Sequence, residues 1–347
     1  MPNPKHILVI RLSAMGDAAM TVPVLRAFQE QYPDIKLTVL TREFFKPFFK
    51  DLKNVKVFSA DVKGKHKGFF GLYKLSKELK GLKIDAVADL HNVLRSNILK
   101  LFLYGIQVVQ LDKGRKEKQT LISGKEFKQL KTTVERYADV FKILGYPIDL
   151  SNPSFPENPP LSNKVLNIVG NGISTSLNAG SKMWIGIAPF AAHESKIYPL
   201  DLLEQVINSL SKKYKILLFG GGKHESEQLQ KFQDEFQNVI NIAGKLSFEE
   251  ELDVILNLDV MLSADSGNGH IAAMLGVKVV TIWGVTHPFA GFAPFNQPED
   301  FNLLSDREKF PKIPTSIYGN KYPESYKDAI RSISPETIVN KIDSILS

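Results

Sequence analysis

The fold of this chain is decided by the stretch from Ser263 to Pro288, which reads S-A-D-S-G-N-G-H-I-A-A-M-L-G-V-K-V-V-T-I-W-G-V-T-H-P. It predicts a strand end, a glycine turn, a buried apolar helix over Ile271–Leu275 and a β-branched inner strand over Lys278–Trp283. Glycines at the N-terminus of a helix let backbone N–H groups approach an anion. The alternative interpretation is a helix capped by Asp265 or Ser266, in which the glycines serve only the turn.

Length and composition favour a globular protein with two domains. The chain has 347 residues, of which 43% are hydrophobic and 23% are charged, as in ordinary globular proteins. No apolar run approaches the ~20 residues of a membrane span, and Ile7–Ile10 is too short for a signal-peptide core. We therefore expect a cytoplasmic protein. The absence of cysteine excludes disulfides, thiolate zinc sites and cysteine nucleophiles.

The positive charge of the chain is concentrated in its first half. Residues 1–150 contain 27 Lys and Arg against 15 Asp and Glu, a balance of +12, whereas residues 151–347 contain 17 against 22, a balance of −5. Two basic runs, Lys63–Lys67 and Lys113–Lys118, lie between predicted elements. The distribution indicates an anionic partner for the first half. A solvated lysine surface is the alternative.

Strands and helices alternate twice along the sequence. The first series begins with the strand His6–Leu12, and the second begins with the strand Trp184–Ala188, after a proline-rich segment over Tyr146–Pro160. Such alternation predicts parallel sheets with helices on both faces, and ligands collect at the carboxyl ends of the strands. At the end of the chain, Ser334 and Pro335 begin an amphipathic helix.

Two further motifs follow strands. Asp17 lies in the turn after the first strand, where the helix dipole favours a carboxylate that could accept a proton from a reacting hydroxyl; an N-cap role is the alternative. Lys196 lies in a loop of small residues after the strand that begins the second series, where a lysine can contact a phosphate; a solvated lysine is the alternative. We find no D-x-D pair and no Cys/His cluster that suggests a metal site.

Three motifs in the same order resemble family 9 of the glycosyltransferases, the lipopolysaccharide heptosyltransferases. They are R-L-S-A-M-G-D before residue 18, A-A-H-E-S-K-I-Y-P at 191–199 and D-S-G-N-G-H-I-A-A-M-L-G at 265–276. The resemblance implies the α/β GT-B fold, with two Rossmann-like domains whose parallel sheets face a central cleft. We expect an acceptor-side domain at 1–160 and a nucleotide-sugar domain at 161–333, with the helix at 334–347 packing back on the first domain.

The resemblance also implies an activity: the inverting, metal-independent transfer of a heptose from ADP-heptose to the inner core of lipopolysaccharide, peripherally at the inner face of the cytoplasmic membrane. Asp17 matches the general base, and Lys196 matches the residue that neutralises the donor diphosphate. The other donor-binding positions are Gly16, Ala191, Ala192, Glu225, Leu246, Asp265, Ser266, Gly267 and His270. The expected acceptor-binding positions are Ser13, Lys63, Lys65, Lys67 and Arg115.

Two departures from the family pattern bear on the site. Ala191 and Ala192 supply only backbone donors where small hydroxyl residues could also contact phosphate, and Val285 stands where the family commonly has proline. Three alternatives stay open: a transferase that uses another nucleotide sugar, a nucleotide-sugar epimerase or hydrolase on the same scaffold, and a two-domain binding protein without catalysis. No nucleic-acid partner and no metal cofactor are expected.

Overall fold

The computed structural model describes residues 3–170 and 183–347, which form two compact units. The first unit contains the residues up to Arg115 together with Lys131–Ser154, and the second contains Lys116–Leu130 and Phe155–Ser347. Each unit is built on one parallel β-sheet with helices connecting its strands. The predicted fold class is therefore confirmed: the chain is an α/β protein with two Rossmann-like units.

The first unit has five parallel strands in the order β3-β2-β1-β4-β5. Its strands are β1 (His6–Ile10), β2 (Lys36–Thr41), β3 (Val55–Ser59), β4 (Ala86–Asp89) and β5 (Gln107–Gln110). The helices of this part of the chain are α1 (Met15–Ala19), α2 (Thr21–Gln31), α3 (Gly68–Lys80), α4 (Leu94–Phe102), α5 (Arg115–Ile122) and α6 (Thr133–Ile143). Of these, α5 belongs to the second unit from Lys116 onwards.

The second unit has six parallel strands in the order β11-β10-β9-β6-β7-β8. They are β6 (Trp184–Ala188), β7 (Lys215–Leu218), β8 (Val239–Asn241), β9 (Val260–Ala264), β10 (Lys278–Trp283) and β11 (Asn302–Leu304). The helices are α7 (Asn163–Val169), α8 (Leu200–Leu210), α9 (Gly222–Glu235), α10 (Phe248–Leu256), α11 (Gly267–Met274) and α12 (Pro335–Leu346). Among the described residues, no helix is long and apolar enough to cross a membrane.

Strand order places a topological switch point in each sheet. The chain leaves β1 towards β2 and β3 and returns to the other side of β1 as β4, and it leaves β6 towards β7 and β8 and returns as β9. The inner strands β1, β6 and β9 are buried almost throughout. In sheets of this kind, ligands bind outside the carboxyl ends of the strands at the switch point.

The last helix belongs to the second unit, and the expectation that it also packs back on the first stays a prediction. Ile338 and Ile342 of α12 are fully buried in the hydrophobic core of the second unit. That core includes Leu203, Val206, Ile207 and Leu210, the apolar stripe of α8. Burying each isoleucine contributes about 1.5–3 kcal/mol, so the two matched stripes account for the position of α12.

The boundary between the units also differs from the expected division at residue 160. The second unit begins at Phe155, whose ring packs so closely on Gly276 that a Cβ there would lie 2.6 Å from the ring. It also takes Lys116–Leu130 from the first half of the sequence. Leu130 donates its N–H to the carbonyl of Phe289 at 2.9 Å, which fixes the end of this segment.

Candidate functional site

The β1–α1 turn holds the predicted base. Asp17 lies in the first turn of α1, and its Oδ2 accepts a hydrogen bond from the N–H of Ala14 at 3.3 Å. The same oxygen contacts Nη2 of the buried Arg11 at 2.5 Å. Arg11 is held in turn by a 2.6 Å bond from Nη1 to the carbonyl of Leu90, after β4. Asp17 is therefore oriented by an arginine that spans β1 and β4.

Aromatic packing adds to this arrangement. The guanidinium of Arg11 lies 5.8 Å from the ring centroid of Tyr137 on α6, and the hydroxyl of Tyr137 donates to the backbone carbonyl of Asp17 at 3.4 Å. Tyr137 is fully buried, and burial raises the pKa of its phenol. The tyrosine thus stays protonated and serves as a donor. Gly16, expected at the donor, is half-buried in the same turn.

Ser13 contacts a buried histidine that the sequence did not single out. The hydroxyl of Ser13 lies 3.2 Å from Nε2 of His91, and the N–H of His91 donates to Oδ1 of Asp89 at 3.0 Å. Oδ2 of Asp89 forms a 2.7 Å ion pair with Lys100. Burial, followed by the charge of Arg11, lowers the pKa of His91 to about 4. His91 is therefore neutral near pH 7 at the switch point of the first sheet.

The predicted basic residues fall into two groups. Arg115 lies near Lys113, whose pKa is lowered first by burial, then by the charge of Arg11 and then by that of Arg115. The carboxylates of Asp17 and Asp89 act on the same pKa in the opposite direction. Lys113 thus joins the surroundings of Asp17. In contrast, Lys63, Lys65 and Lys67 are exposed on the loop between β3 and α3, where Lys65 forms a 2.7 Å ion pair with Glu78 of α3.

In the second unit, Lys196 and Asp265 form an ion pair. Lys196 lies in the short 3-10 helix Glu194–Lys196 after β6, and Asp265 directly follows β9, the neighbouring strand. The ammonium Nζ is 2.8 Å from Oδ2 of Asp265, and their side chains are 13% and 8% exposed. Thr286 donates its hydroxyl to the same Oδ2 at 2.8 Å. The solvated-lysine interpretation of Lys196 is therefore wrong.

The N-terminus of α11 lies next to this pair. Ser266 occupies the N-cap position of α11 and makes no side-chain capping bond; its hydroxyl lies 3.3 Å from that of Ser263. Asp265 uses its carboxylate on Lys196 and Thr286 instead of on the helix. The capping interpretation of this turn is therefore wrong. Gly267 begins α11, and His270 lies within it, 8% exposed.

The other expected donor residues follow neighbouring strands. Ala191 and Ala192 lie in the loop after β6; the first is half-buried and the second exposed. Glu225, in the first turn of α9 after β7, accepts the N–H of Gly221 on Oε2 at 2.7 Å. Leu246 is half-buried between β8 and α10. Together with Asp265, which follows β9, these residues lie at the carboxyl ends of four strands that are adjacent in the order β9, β6, β7 and β8.

Two glycines that the sequence did not single out, Gly319 and Gly284, pack closely against Lys196 and its neighbour Ser195. Ser195 donates its hydroxyl to the carbonyl of Gly319 at 2.6 Å, and a Cβ on Gly319 would lie 2.8 Å from Cδ of Lys196. A Cβ on Gly284 would lie 2.1 Å from the carbonyl oxygen of Ser195. Gly319 comes from a segment outside the quoted motifs, whereas Gly284 lies within the stretch Ser263–Pro288, where no local pattern indicated its contact with Ser195.

Comparison with known proteins places these observations in a family. The model of glycosyltransferase family 9 (heptosyltransferase) matches residues 72–318. The lipopolysaccharide core heptosyltransferase OpsX of Haemophilus influenzae is 24% identical over 313 residues, which cover 88% of this chain and 86% of OpsX.

Solved structures show the same fold. A family 9 glycosyl transferase from Veillonella parvula superimposes with a TM-score of 0.74 at 19% identity, covering 99% of this chain and 97% of the other. The ADP-heptose lps heptosyltransferase II of E. coli superimposes with a TM-score of 0.67 at 19% identity, covering 98% of each chain. Two-unit α/β architecture is therefore shared along the whole chain.

Proposed function

Because this chain belongs to glycosyltransferase family 9, the heptosyltransferases, we propose that it transfers a heptose from ADP-heptose to the inner core of lipopolysaccharide, as the names of its relatives suggest for them. The observation that carries the proposal is the Lys196–Asp265 pair beside the N-terminus of α11. A partly buried ammonium next to helical N–H groups without a side-chain cap suits a nucleoside diphosphate.

In this proposal the second unit binds the donor. Lys196 contacts the diphosphate while Asp265 and Thr286 hold its ammonium in place. The N–H groups of Gly267 and its neighbours in α11 bind the phosphate oxygens, and Ala191 and Ala192 add backbone donors. Glu225 and Leu246, after β7 and β8, contact the nucleoside, and His270 contacts the sugar.

The first unit supplies the base and binds the acceptor. Arg11 and the N–H of Ala14 both use Oδ2 of Asp17, so we assign Oδ1 as the atom that takes the proton. The acceptor oxygen forms a bond to the anomeric carbon as the bond from that carbon to the diphosphate breaks. The proton moves to Asp17, the electron pair leaves with ADP, and the configuration at the carbon inverts. Ser13 and Arg115 contact the acceptor.

Lys196 and the helix dipole replace a metal ion in this mechanism, since both stabilise the negative charge that develops on the leaving diphosphate. Among the residues that the structure describes, no group of three or more His, Asp or Glu is placed to hold a metal. We place the reaction at the inner face of the cytoplasmic membrane, with the basic surface of the first unit turned to the anionic acceptor.

The mutation Asp17→Asn tests the base. It keeps the size of the side chain but removes the proton acceptor, so turnover should fall by about 10²-fold or more while the Kd for ADP stays unchanged. Initial rates of heptosyl transfer and ADP titrations measure the two effects. Asp34→Asn, on an exposed aspartate of the same unit, is the matched control. Transfer by Asp17→Asn at the wild-type rate would contradict the assignment.

The mutation Lys196→Ala tests the donor site and the absence of a metal requirement. ADP binding should weaken by about tenfold or more, since a partly buried charge-assisted contact is lost, and wild-type transfer should persist in EDTA. Lys223→Ala, on a lysine whose side chain is 91% exposed, is the control. Activity that disappears in EDTA and returns with magnesium would show that a cation performs the role assigned to Lys196.

Thermal-shift measurements with ADP, UDP, GDP and CMP test the donor, since a ligand that binds the native state raises the apparent stability. We expect the largest shift with ADP. A larger shift with UDP or GDP would instead identify a transferase for another nucleotide sugar.

A further inference from the structure

Helices α3 and α4 carry aromatic rings that point into solvent. Phe69, Phe70 and Tyr73 of α3 are 59%, 85% and 45% exposed. Phe102 of α4 joins them: its ring centroid lies 5.0 Å from that of Phe69 and 5.4 Å from that of Tyr73. We call these four residues the aromatic face. Single exposed apolar residues are ordinary, but a connected group of them marks an interaction surface.

The apolar surface extends along α4. Leu94 and Leu101 are 76% and 75% exposed. They are seven residues apart, which is two helical turns, so they lie on one side of α4. Tyr104, two residues after the end of α4, is 91% exposed. The two helices therefore present large apolar side chains where a water-exposed surface would favour polar ones.

The charges around the aromatic face are mostly positive. Between residues 63 and 80 there are six lysines and one acidic residue, Glu78. Glu78 is already bound by Lys65 at 2.7 Å and lies 3.4 Å from His66. Lys77 lies over the ring of Tyr73, with Nζ 4.7 Å from the centroid. Exposed aromatic rings next to unneutralised lysines are typical of surfaces that lie in the interface of a membrane.

We propose that the aromatic face docks on a bilayer that contains anionic lipids, with its rings between the headgroups and its lysines on the phosphates. The charge pattern favours this partner over a second copy of the chain, because a symmetric contact would bring the lysines of both copies together. This inference deepens the proposed function and rests on it only for the biological purpose of docking. Helix α4 begins three residues after His91, which contacts Ser13 of the proposed acceptor site. The helix that we place on the membrane therefore directly follows that site in the sequence.

Vesicle binding by the full-length protein tests the proposal. The probes are phosphatidylcholine vesicles with and without phosphatidylglycerol, without acceptor or nucleotide, at low and high salt. The double variant Phe69→Ser/Phe70→Ser should lower the partition coefficient for anionic vesicles by about tenfold or more, because two rings no longer enter the interface. Phe70→Ser alone should give a smaller loss. Ile143→Ser, on α6 and 66% exposed, should bind as the wild type does.

Salt separates apolar docking from attraction by charge alone. Binding of the wild type should survive high salt in part, since apolar contacts are not screened, whereas binding of the double variant should be lost. Wild-type binding by the double variant at both salt concentrations would overturn the proposal. A double variant that binds vesicles normally but no longer self-associates in sedimentation would also overturn it, because the aromatic face would then join two copies of the chain. Transfer to a delipidated acceptor in the same variant reports separately on the proposed function.

Discussion

The position of the Lys196 side chain depends on a glycine, Gly319, that packs against it. Gly319 has a φ of +77° and lies so close that an added Cβ would meet both Lys196 and the hydroxyl of Ser195 at under 3 Å. Gly105 has a similar φ, +85°, but an added Cβ would meet no atom within 4 Å. The two glycines share the left-handed backbone that disfavours other residues, and they differ in what surrounds them.

The pair of variants Gly319→Ala and Gly105→Ala uses this difference. Both should lose about 1 kcal/mol or more of stability from the backbone, measured by urea unfolding. Only Gly319→Ala should also weaken ADP binding, by about tenfold, because the new methyl group displaces Lys196 from Asp265. Equal Kd values for ADP in the two variants would show that Gly319 does not position the lysine.

At the scale of the element, α10 shows how one helix gives neighbouring carboxylates opposite properties. Ser247 and Glu250 form a capping box at its N-terminus, and the ion pair with Lys164 lowers the pKa of Glu250 to about 2. Glu251, one residue further along the helix, is half-buried, and burial raises its pKa to about 7. The helical period of 100° per residue separates the two environments.

The mutation Glu251→Gln should therefore stabilise the protein in a pH-dependent way. The folded-state pKa of about 7 lies above the ordinary glutamate value of 4.5, so stability is lost as pH rises from 4.5 through 7. Replacing Glu251 with glutamine should raise the free energy of unfolding at pH 8 by up to about 3 kcal/mol and change it little at pH 5. Urea unfolding across this pH range measures the difference. An equal gain at both pH values would contradict the assignment.

At the scale of the whole molecule, the structure divides the basic residues of the first half of the sequence between the two units. Lys113 and Arg115 belong to the surroundings of Arg11 and Asp17, whereas Lys116 and Lys118 belong to the second unit. Lys118 lies over the ring of Phe292, 4.1 Å from its centroid. A basic run that is continuous in sequence therefore serves two different surfaces.

Neutralising these positions tests the acceptor site. The variant Lys113→Gln/Arg115→Gln should raise the KM for the acceptor by up to about thirtyfold at low salt, at about 1 kcal/mol for each charge, and leave the KM for the donor unchanged. Lys63→Gln/Lys67→Gln should have a smaller effect, since these lysines lie on the β3–α3 loop. Wild-type KM values for the acceptor in both variants would mean that the basic surface is only solvated.

Local sequence by itself determined the two α/β units and picked out the stretch that we propose as the donor site. The β-branched run of β10 and the capping box of α10 depend on neighbours within a few residues, and such patterns predict structure because hydrogen bonds and burial act at a fixed period. The motifs around Asp17, Lys196 and Asp265 were equally visible. Their roles stay predictions.

Only the tertiary structure decided which partner each of these groups meets. His91 and Gly319 contact the predicted site residues Ser13 and Lys196 from segments far away in sequence, and Leu90 holds Arg11 across a similar separation. The position of α12 was settled in the same way, because an apolar stripe shows that a helix must be buried but not against which surface. Contacts between distant segments depend on the packing of whole sheets and helices, which no local pattern contains.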